Sequence, residues 1–206
     1  MEKEITLIFH NRELRSYIEV DLCTTCPRLD GKGCCGYYSP VFYPTDFAYL
    51  MQKNPDLLEY LFKIPRITVL DSSLTVNSMI DGDSYRCHFH NPEKGCILDQ
   101  DLRETICRHF VCPGIAWEEE PELKTWRDFF QRLFDYEIYL NQLIAEELKA
   151  KSLSLREPQK RPAFFQELFH IFKRETARLP DFIEDYPRKE KFVLQRTIKF
   201  GKEWKL

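Results

Sequence analysis

Cys23-Thr24-Thr25-Cys26, then Gly33-Cys34-Cys35-Gly36, then Cys87, Cys96 and Cys107-Arg108-His109-Phe110-Val111-Cys112 carry all eight cysteines of this 206-residue chain. They form two groups of four, separated by a Cys-free segment from Gly36 to Arg86, and none lies beyond Cys112. Thiolates at this density hold zinc, Cu(I) or iron–sulfur clusters. In an oxidising compartment the same density means disulfides instead. The choice bears on the fold, because a metal core is organised by ligands in loops rather than by backbone ladders.

The opening Met1-Glu2-Lys3-Glu4-Ile5 has no basic segment followed by an apolar run. No stretch approaches the roughly 18–20 apolar residues of a membrane span. The expectation is a cytoplasmic chain whose thiols stay reduced, so Cys23, Cys26, Cys34, Cys35, Cys87, Cys96, Cys107 and Cys112 are the candidate metal ligands. A formal charge of −3, from 30 basic and 33 acidic residues, gives no electrostatic case for nucleic acid or an anionic membrane as partner. Glycines number only 7, and neither a phosphate-cradling loop nor a dinucleotide fingerprint is present. The chain is long enough to bury a core without covalent staples.

Outward from the cysteines, Ile5, Leu7 and Phe9 alternate along one extended run. Tyr17, Ile18, Val20 and Leu22 form another, with Asn11-Arg12-Glu13 as the turn. Pro27, Gly31, Gly33, Gly36, Pro40 and Pro44 make residues 27–44 a loop. Thr45 or Asp46 can cap a short helix, and Asn54-Pro55 opens a second. Residues 66–80 read as a hairpin turning at Asp71-Ser72-Ser73, and Asp81-Gly82-Asp83 turns the chain toward Cys87. Residues 87–97 are a short Cys loop, and Asp101 can cap a turn carrying Arg103 and Cys107. Beyond Pro113-Gly114 the reading is helical. The steps of three and four from Trp126 to Leu148 predict an amphipathic helix, Phe164 to Phe172 a second, and Arg188 to Trp204 a third, weaker one. The expected class is α+β: an irregular Cys-rich metal-binding core with short strands over residues 1–116, then a helical part over 117–206 packed on it as one unit.

A Cys-x-x-Cys turn such as Cys23/Cys26 can place two sulfurs on one metal. Adjacent Cys34 and Cys35 diverge, so they either serve two centres or divide into a ligand and a core thiol. Sequence order leaves the partition open, and the spacing matches neither a ferredoxin run nor a tandem zinc ribbon. His88 and His90 alternate and can be ligands of a mixed site or supporting residues beside the metal. Arg103 and Arg108 can offset thiolate charge, or pair with Asp99, Asp101 or Glu104. The stripe of Trp126, Phe129, Phe130, Leu133 and Phe134 reads as core, and Glu118-Glu119-Glu120 as the solvated start of a helix.

The order CxxC, CC, single Cys, Gly95-Cys96-Ile97, Arg103, then Cys107-Arg108-His109-Phe110-Val111-Cys112 resembles the YkgJ-type CxxCxxCC family of zinc- or iron-chelating domains. The resemblance covers about residues 20–114. Seven residues separate the CxxC from the CC pair here, where the family has two or three. Arg103-Glu104 stands where the family commonly has Arg-Pro. Flagellin lysine-N-methylases belong to that family, so the resemblance implies an iron–sulfur cluster, with 4Fe-4S favoured.

Two functions follow. One is an iron–sulfur protein of one or two centres, with an electron-transfer or cofactor role and a protein or redox partner. The other is a structural zinc protein whose C-terminal helices bind a partner. Weakly held, exchangeable metal would instead mark storage or delivery. No nucleophile–base–acid set is visible, so no enzymatic activity is assigned.

Overall fold

The alternation of Ile5, Leu7 and Phe9 builds β1 (Glu2–His10), all three side chains being fully buried. The computed structural model describes residues 1–28 and 32–206, with Thr24 described by its backbone alone. Gly31, counted above among the loop formers, lies outside them. The strand β2 (Tyr17–Val20) returns antiparallel, with Ile18 opposite Phe9 and Val20 opposite Leu7. A 3₁₀ turn over Asp21–Thr25 then presents Cys23, and another over Gly33–Gly36 presents Cys34 and Cys35.

Next come β3 (Val41–Phe42), α1 (Pro44–Lys53), α2 (Pro55–Leu61), β4 (Ile67–Val69) and β5 (Leu74–Val76), giving a sheet in the order β3-β5-β4. β6 (Met79–Asp81) pairs with β7 (Ser84–Arg86), and β8 (His90–Asn91) with β9 (Gly95–Cys96). The helix α3 (Thr105–His109) carries Cys107. The chain continues through α4 (Lys124–Ala150), α5 (Arg161–Glu175) and α6 (Asp181–Glu184) to β10 (Lys189–Thr197). The class is α+β, with small sheets followed by a helical region. No helix among the described residues is long and apolar enough to cross a membrane.

Residues 189–197 correct the sequence reading of a third helix over Arg188–Trp204: they form a strand, and only Gly201–Glu203 coil, into a 3₁₀ turn. β10 pairs antiparallel along the whole of β1, from Glu2 opposite Thr197 to His10 opposite Lys189, and gives the sheet order β10-β1-β2. Phe192 and Leu194 turn inward while Val193 stays exposed, which is a period of two. The deciding force is the open edge of β1, whose backbone groups need partners. That requirement is invisible in a local window. Three smaller corrections have local causes. The second arm of the 66–80 hairpin ends at Val76, and Met79–Asp81 pairs with the next strand instead. Helix α1 starts at Pro44, with the Asp46 carboxylate accepting from the Tyr43 N–H at 3.0 Å. The cap of α3 is Glu104, not Asp101, because Glu104 accepts from the N–H groups of Ile106 and Cys107.

Two apolar cores result. The first packs β1, β2 and β10 against the start of α4: Phe9 stacks on Trp126 at 5.0 Å and lies 5.3 Å from Trp117. The second packs α1, α2 and β5 against the end of α4 and against α5, around Phe47, Leu61, Ile144 and Phe164. Helix α4 has 27 residues, so at 1.5 Å per residue it spans about 40 Å and serves both cores. Its stripe reads Trp126, Phe130, Leu133, Glu137, Leu140, Ile144 and Leu148, all buried. Of the sequence stripe, Trp126, Phe129, Phe130 and Leu133 are core, whereas Phe134 is half-buried and outside both cores. Glu118–Glu120 precede the helix in 3₁₀ turns, and Glu120 is held by Arg196 rather than left in solvent.

Phe9→Ala removes a fully buried ring that touches four other aromatic rings, and is expected to cost about 3–5 kcal/mol. Val193→Ala, on the exposed face of β10, is expected to stay within about 0.5 kcal/mol. Urea denaturation of both variants checks the assignment. Equal costs would mean that the two faces of this sheet are not distinguished by burial.

Candidate metal centre

All eight cysteines are free thiols, and they come from segments far apart in sequence. Cys23 and Cys26 follow directly from β2. Gly33 adopts φ 51°, and a Cβ there would stand 2.7 Å from the Cys26 sulfur. Glycine is required for both reasons: the left-handed backbone, and the space that the Cys26 thiol fills. Cys35 accepts through its carbonyl from the Cys87 N–H at 2.7 Å, and Cys87 accepts in turn from the His90 N–H at 3.1 Å. His90 then pairs with Cys96 across β8 and β9. Backbone hydrogen bonds thus chain Cys35, Cys87 and Cys96 together.

The thiols act on one another electrostatically. Cys23 lies within reach of Cys34, Cys26 and Cys96, and Cys112 within reach of Cys23, Cys34 and Cys26. Cys35 is within reach of Cys34, Cys87 and Cys96, and Cys107 of Cys96 and Cys87. Desolvation pushes the Cys23 and Cys87 thiols up to about 11 and Cys112 up to about 12. Cys107 is pushed up by burial and then by the Glu104 carboxylate. Cys34 and Cys35 share a hydrogen bond that lowers Cys34 and raises Cys35. Cys23 keeps an exposed edge. Among the described residues no three His, Cys, Asp or Glu groups already surround one ion-sized point.

The polar frame differs from the sequence reading. Arg108 does not pair with Asp99, Asp101 or Glu104. It is fully buried and donates to both oxygens of Glu137, at 2.8 and 3.1 Å, and to the Ser16 carbonyl at 2.8 Å. Desolvation still holds the Glu137 carboxyl above its usual range. Arg15, also buried, donates to Asp46 at 2.7 Å and to the carbonyls of Asp101 and Arg103. Arg103 donates to the Leu98 carbonyl, and its positive charge favours the thiolates of Cys23 and Cys34. His88 turns to the Tyr60 hydroxyl at 2.8 Å. His109 is buried edge-on to Phe130, and burial holds it well below its usual range.

Sequence reasoning missed three residues here. Glu137 had a legible signal, a lone acid on the apolar stripe of α4. Glu104 is fully buried beside Cys107; its signal was only a carboxylate at the start of a short helix. Trp204 had none. It packs on Gly114, where a Cβ would lie 2.8 Å from the indole. Its N–H makes no well-formed hydrogen bond but is turned to Cys112, where it favours the thiolate.

No protein-family model, curated protein or solved structure matches this chain.

The donor set fits a soft metal. Desolvated thiols are poor anions alone, and a thiophilic cation offsets that penalty by direct bonding. Thiols are the ligand type that such a metal prefers, and Arg103 lies close enough to favour the Cys23 and Cys34 thiolates.

Arg108→Ala leaves Glu137 buried without its partner, at an expected cost of about 3–5 kcal/mol. In a cycle with Glu137→Leu, the pair should show a coupling on the order of 1–3 kcal/mol, measured by urea denaturation. Strictly additive costs would mean that the two groups do not act as a pair.

Proposed function

We propose that the chain is an iron–sulfur protein of one or two centres, with the ligands drawn from Cys23, Cys26, Cys34, Cys35, Cys87, Cys96, Cys107 and Cys112. The observation that supports this reading is the gathering of thiols from the Cys23–Cys26 turn, the Gly33–Gly36 turn, the β8–β9 hairpin and α3 into one neighbourhood. The order of the motifs, which resembles the YkgJ-type family, points the same way. When bound, such a cluster supplies one-electron transfer at a potential set by charge, hydrogen bonds to sulfur and exposure. The chain's own residues contribute those settings. Arg103 brings positive charge near Cys23 and Cys34, and the Trp204 N–H faces Cys112. Burial of Cys87 keeps water from that side, while the exposed edge of Cys23 gives a redox partner its approach. The role is electron transfer or cofactor support within the cytoplasm.

Anaerobic purification, followed by iron, sulfide and zinc analysis and an absorption spectrum on the same sample, tests the reading. Iron with matching sulfide and a broad visible band is expected. Stoichiometric zinc in a colourless protein would replace it with a structural zinc site. Cys107→Ser is expected to lower both bound metal and thermal stability. Metal removal by a chelator should lower the melting temperature of the unmutated chain, since metal binding and folding are linked. Unchanged metal content and unchanged melting in Cys107→Ser would remove Cys107 from the ligand set.

A further inference from the structure

We infer that Cys34 and Cys35 are a thiol–disulfide exchange site: a low-molecular-weight disulfide converts the pair to a Cys34–Cys35 disulfide, and a dithiol reverses the change. The chemistry of the pair stands apart from the metal-binding reading above. Only its consequence, the loss of two candidate ligands, rests on that reading. Neighbouring side chains usually diverge, but in the turn over Gly33–Gly36 the two thiols meet in a hydrogen bond, which Cys35 donates to the Cys34 sulfur. Backbone bonds hold the turn in place. The Cys35 N–H donates to the Lys32 carbonyl at 3.0 Å, and the Tyr37 and Tyr38 N–H groups donate to the Cys34 carbonyl at 3.0 and 3.1 Å. The Cys35 carbonyl is held by the Cys87 N–H at 2.7 Å. Both thiols keep part of their surface exposed, whereas Cys87 is buried, so a small disulfide can reach the pair. A glycine stands on each side of it, and Gly33 already lies in the left-handed region at φ 51°. Glycine leaves backbone freedom where a ring closed between adjacent residues needs it.

The exchange balances with the small disulfide as the oxidant. The Cys34 thiolate, favoured because Cys35 donates to it, attacks one sulfur of that disulfide. The S–S bond of the small molecule breaks, one small thiolate leaves, and Cys34 carries a mixed disulfide. The released thiolate takes the Cys35 proton. The Cys35 sulfur then attacks the Cys34 sulfur, forming the Cys34–Cys35 bond and releasing the second small thiolate. The pair has lost two electrons and the small disulfide has gained them. The second step is intramolecular between sulfurs already in contact, so it outruns attack by a thiol from solution. Adjacent Cα atoms stand about 3.8 Å apart, below the roughly 4.4 Å at which disulfides usually begin, so the product is strained and readily reduced. Oxidation therefore withdraws two sulfurs reversibly from the ligand pool.

The test uses the full chain, freed of metal by a chelator, reduced, and exposed anaerobically to an excess of glutathione disulfide. The folded chain should lose two of its eight thiols and retain no glutathione. After alkylation and tryptic digestion, residues 33–53, which hold Cys34 and Cys35 and no other cysteine, should be recovered unalkylated and two hydrogens lighter. Dithiothreitol should restore both thiols. Cys35→Ser should stop at a glutathione adduct on Cys34. In urea the selectivity should vanish, because the turn no longer holds the sulfurs together. A first disulfide that joins any other pair overturns the inference, as does the same peptide dominating in urea or a folded Cys35→Ser chain without an adduct on Cys34. Where Cys35→Ser fails to fold, the mapped product of the wild type decides. The oxidised and reduced wild-type chains are then offered ferrous iron with sulfide, or zinc. Lower uptake by the oxidised chain is expected. Equal uptake removes Cys34 and Cys35 from the ligand set and leaves the exchange site standing. A reduced chain that takes up neither metal overturns the metal-binding reading alone.

Discussion

The Arg108–Glu137 contact is the constraint on which the arrangement turns. Arg108 lies on the short helix that carries Cys107, and Glu137 lies midway along the helix that serves both cores. Burying two charges is costly, and their attraction repays the cost only when geometry and further hydrogen bonds are complete. Here they are: Arg108 also donates to Ser16, Arg103 and Thr105, and Thr105 donates to Glu137. The pair therefore locks three things at once, namely the end of the β1–β2 turn, the Cys107 helix and α4. Arg15 and Asp46 form a second buried pair beside it. The two guanidinium groups repel each other, and the two carboxylates compensate them. These four charges sum to zero, while Glu104, also fully buried, is met by backbone N–H groups rather than a cation, and desolvation holds its carboxyl above the usual range.

That polar frame explains why loops with little regular structure can hold a defined cysteine arrangement. The Cys-bearing turns are short, and several are only two-residue ladders or 3₁₀ turns. Their positions are inherited from rigid surroundings. β2 fixes Cys23, Glu104 fixes Cys107, the Trp204–Gly114 contact fixes the approach to Cys112, and the second core fixes Cys87.

What the sequence made legible follows from the range of each signal. The alternation of Ile5, Leu7 and Phe9, the Asn54-Pro55 cap and the long stripe of α4 are local patterns, and each forms the element it predicts. The cysteine inventory was likewise complete on reading. The segment Lys189–Thr197 was misread because its Lys, Glu, Gln and Arg favour a helix locally, and the decision belonged to β1, far away in sequence. Arg108 was misassigned for the same reason: acids near it in sequence were obvious partners, and the real one lies twenty-nine residues further on. Trp204 could not have been placed, since its neighbour Gly114 gives no pattern to match.

The pairing of β10 with β1 also sets an order of events during synthesis. Glu2 finds its partner at Thr197, so that edge of β1 stays open until residue 197 has been made. The cysteines all emerge long before that moment. For that interval the thiols are in the cell without the tail that ties their loops, and closing so long a loop is intrinsically slow. β10 thus closes the N-terminal sheet only after every cysteine has been synthesised.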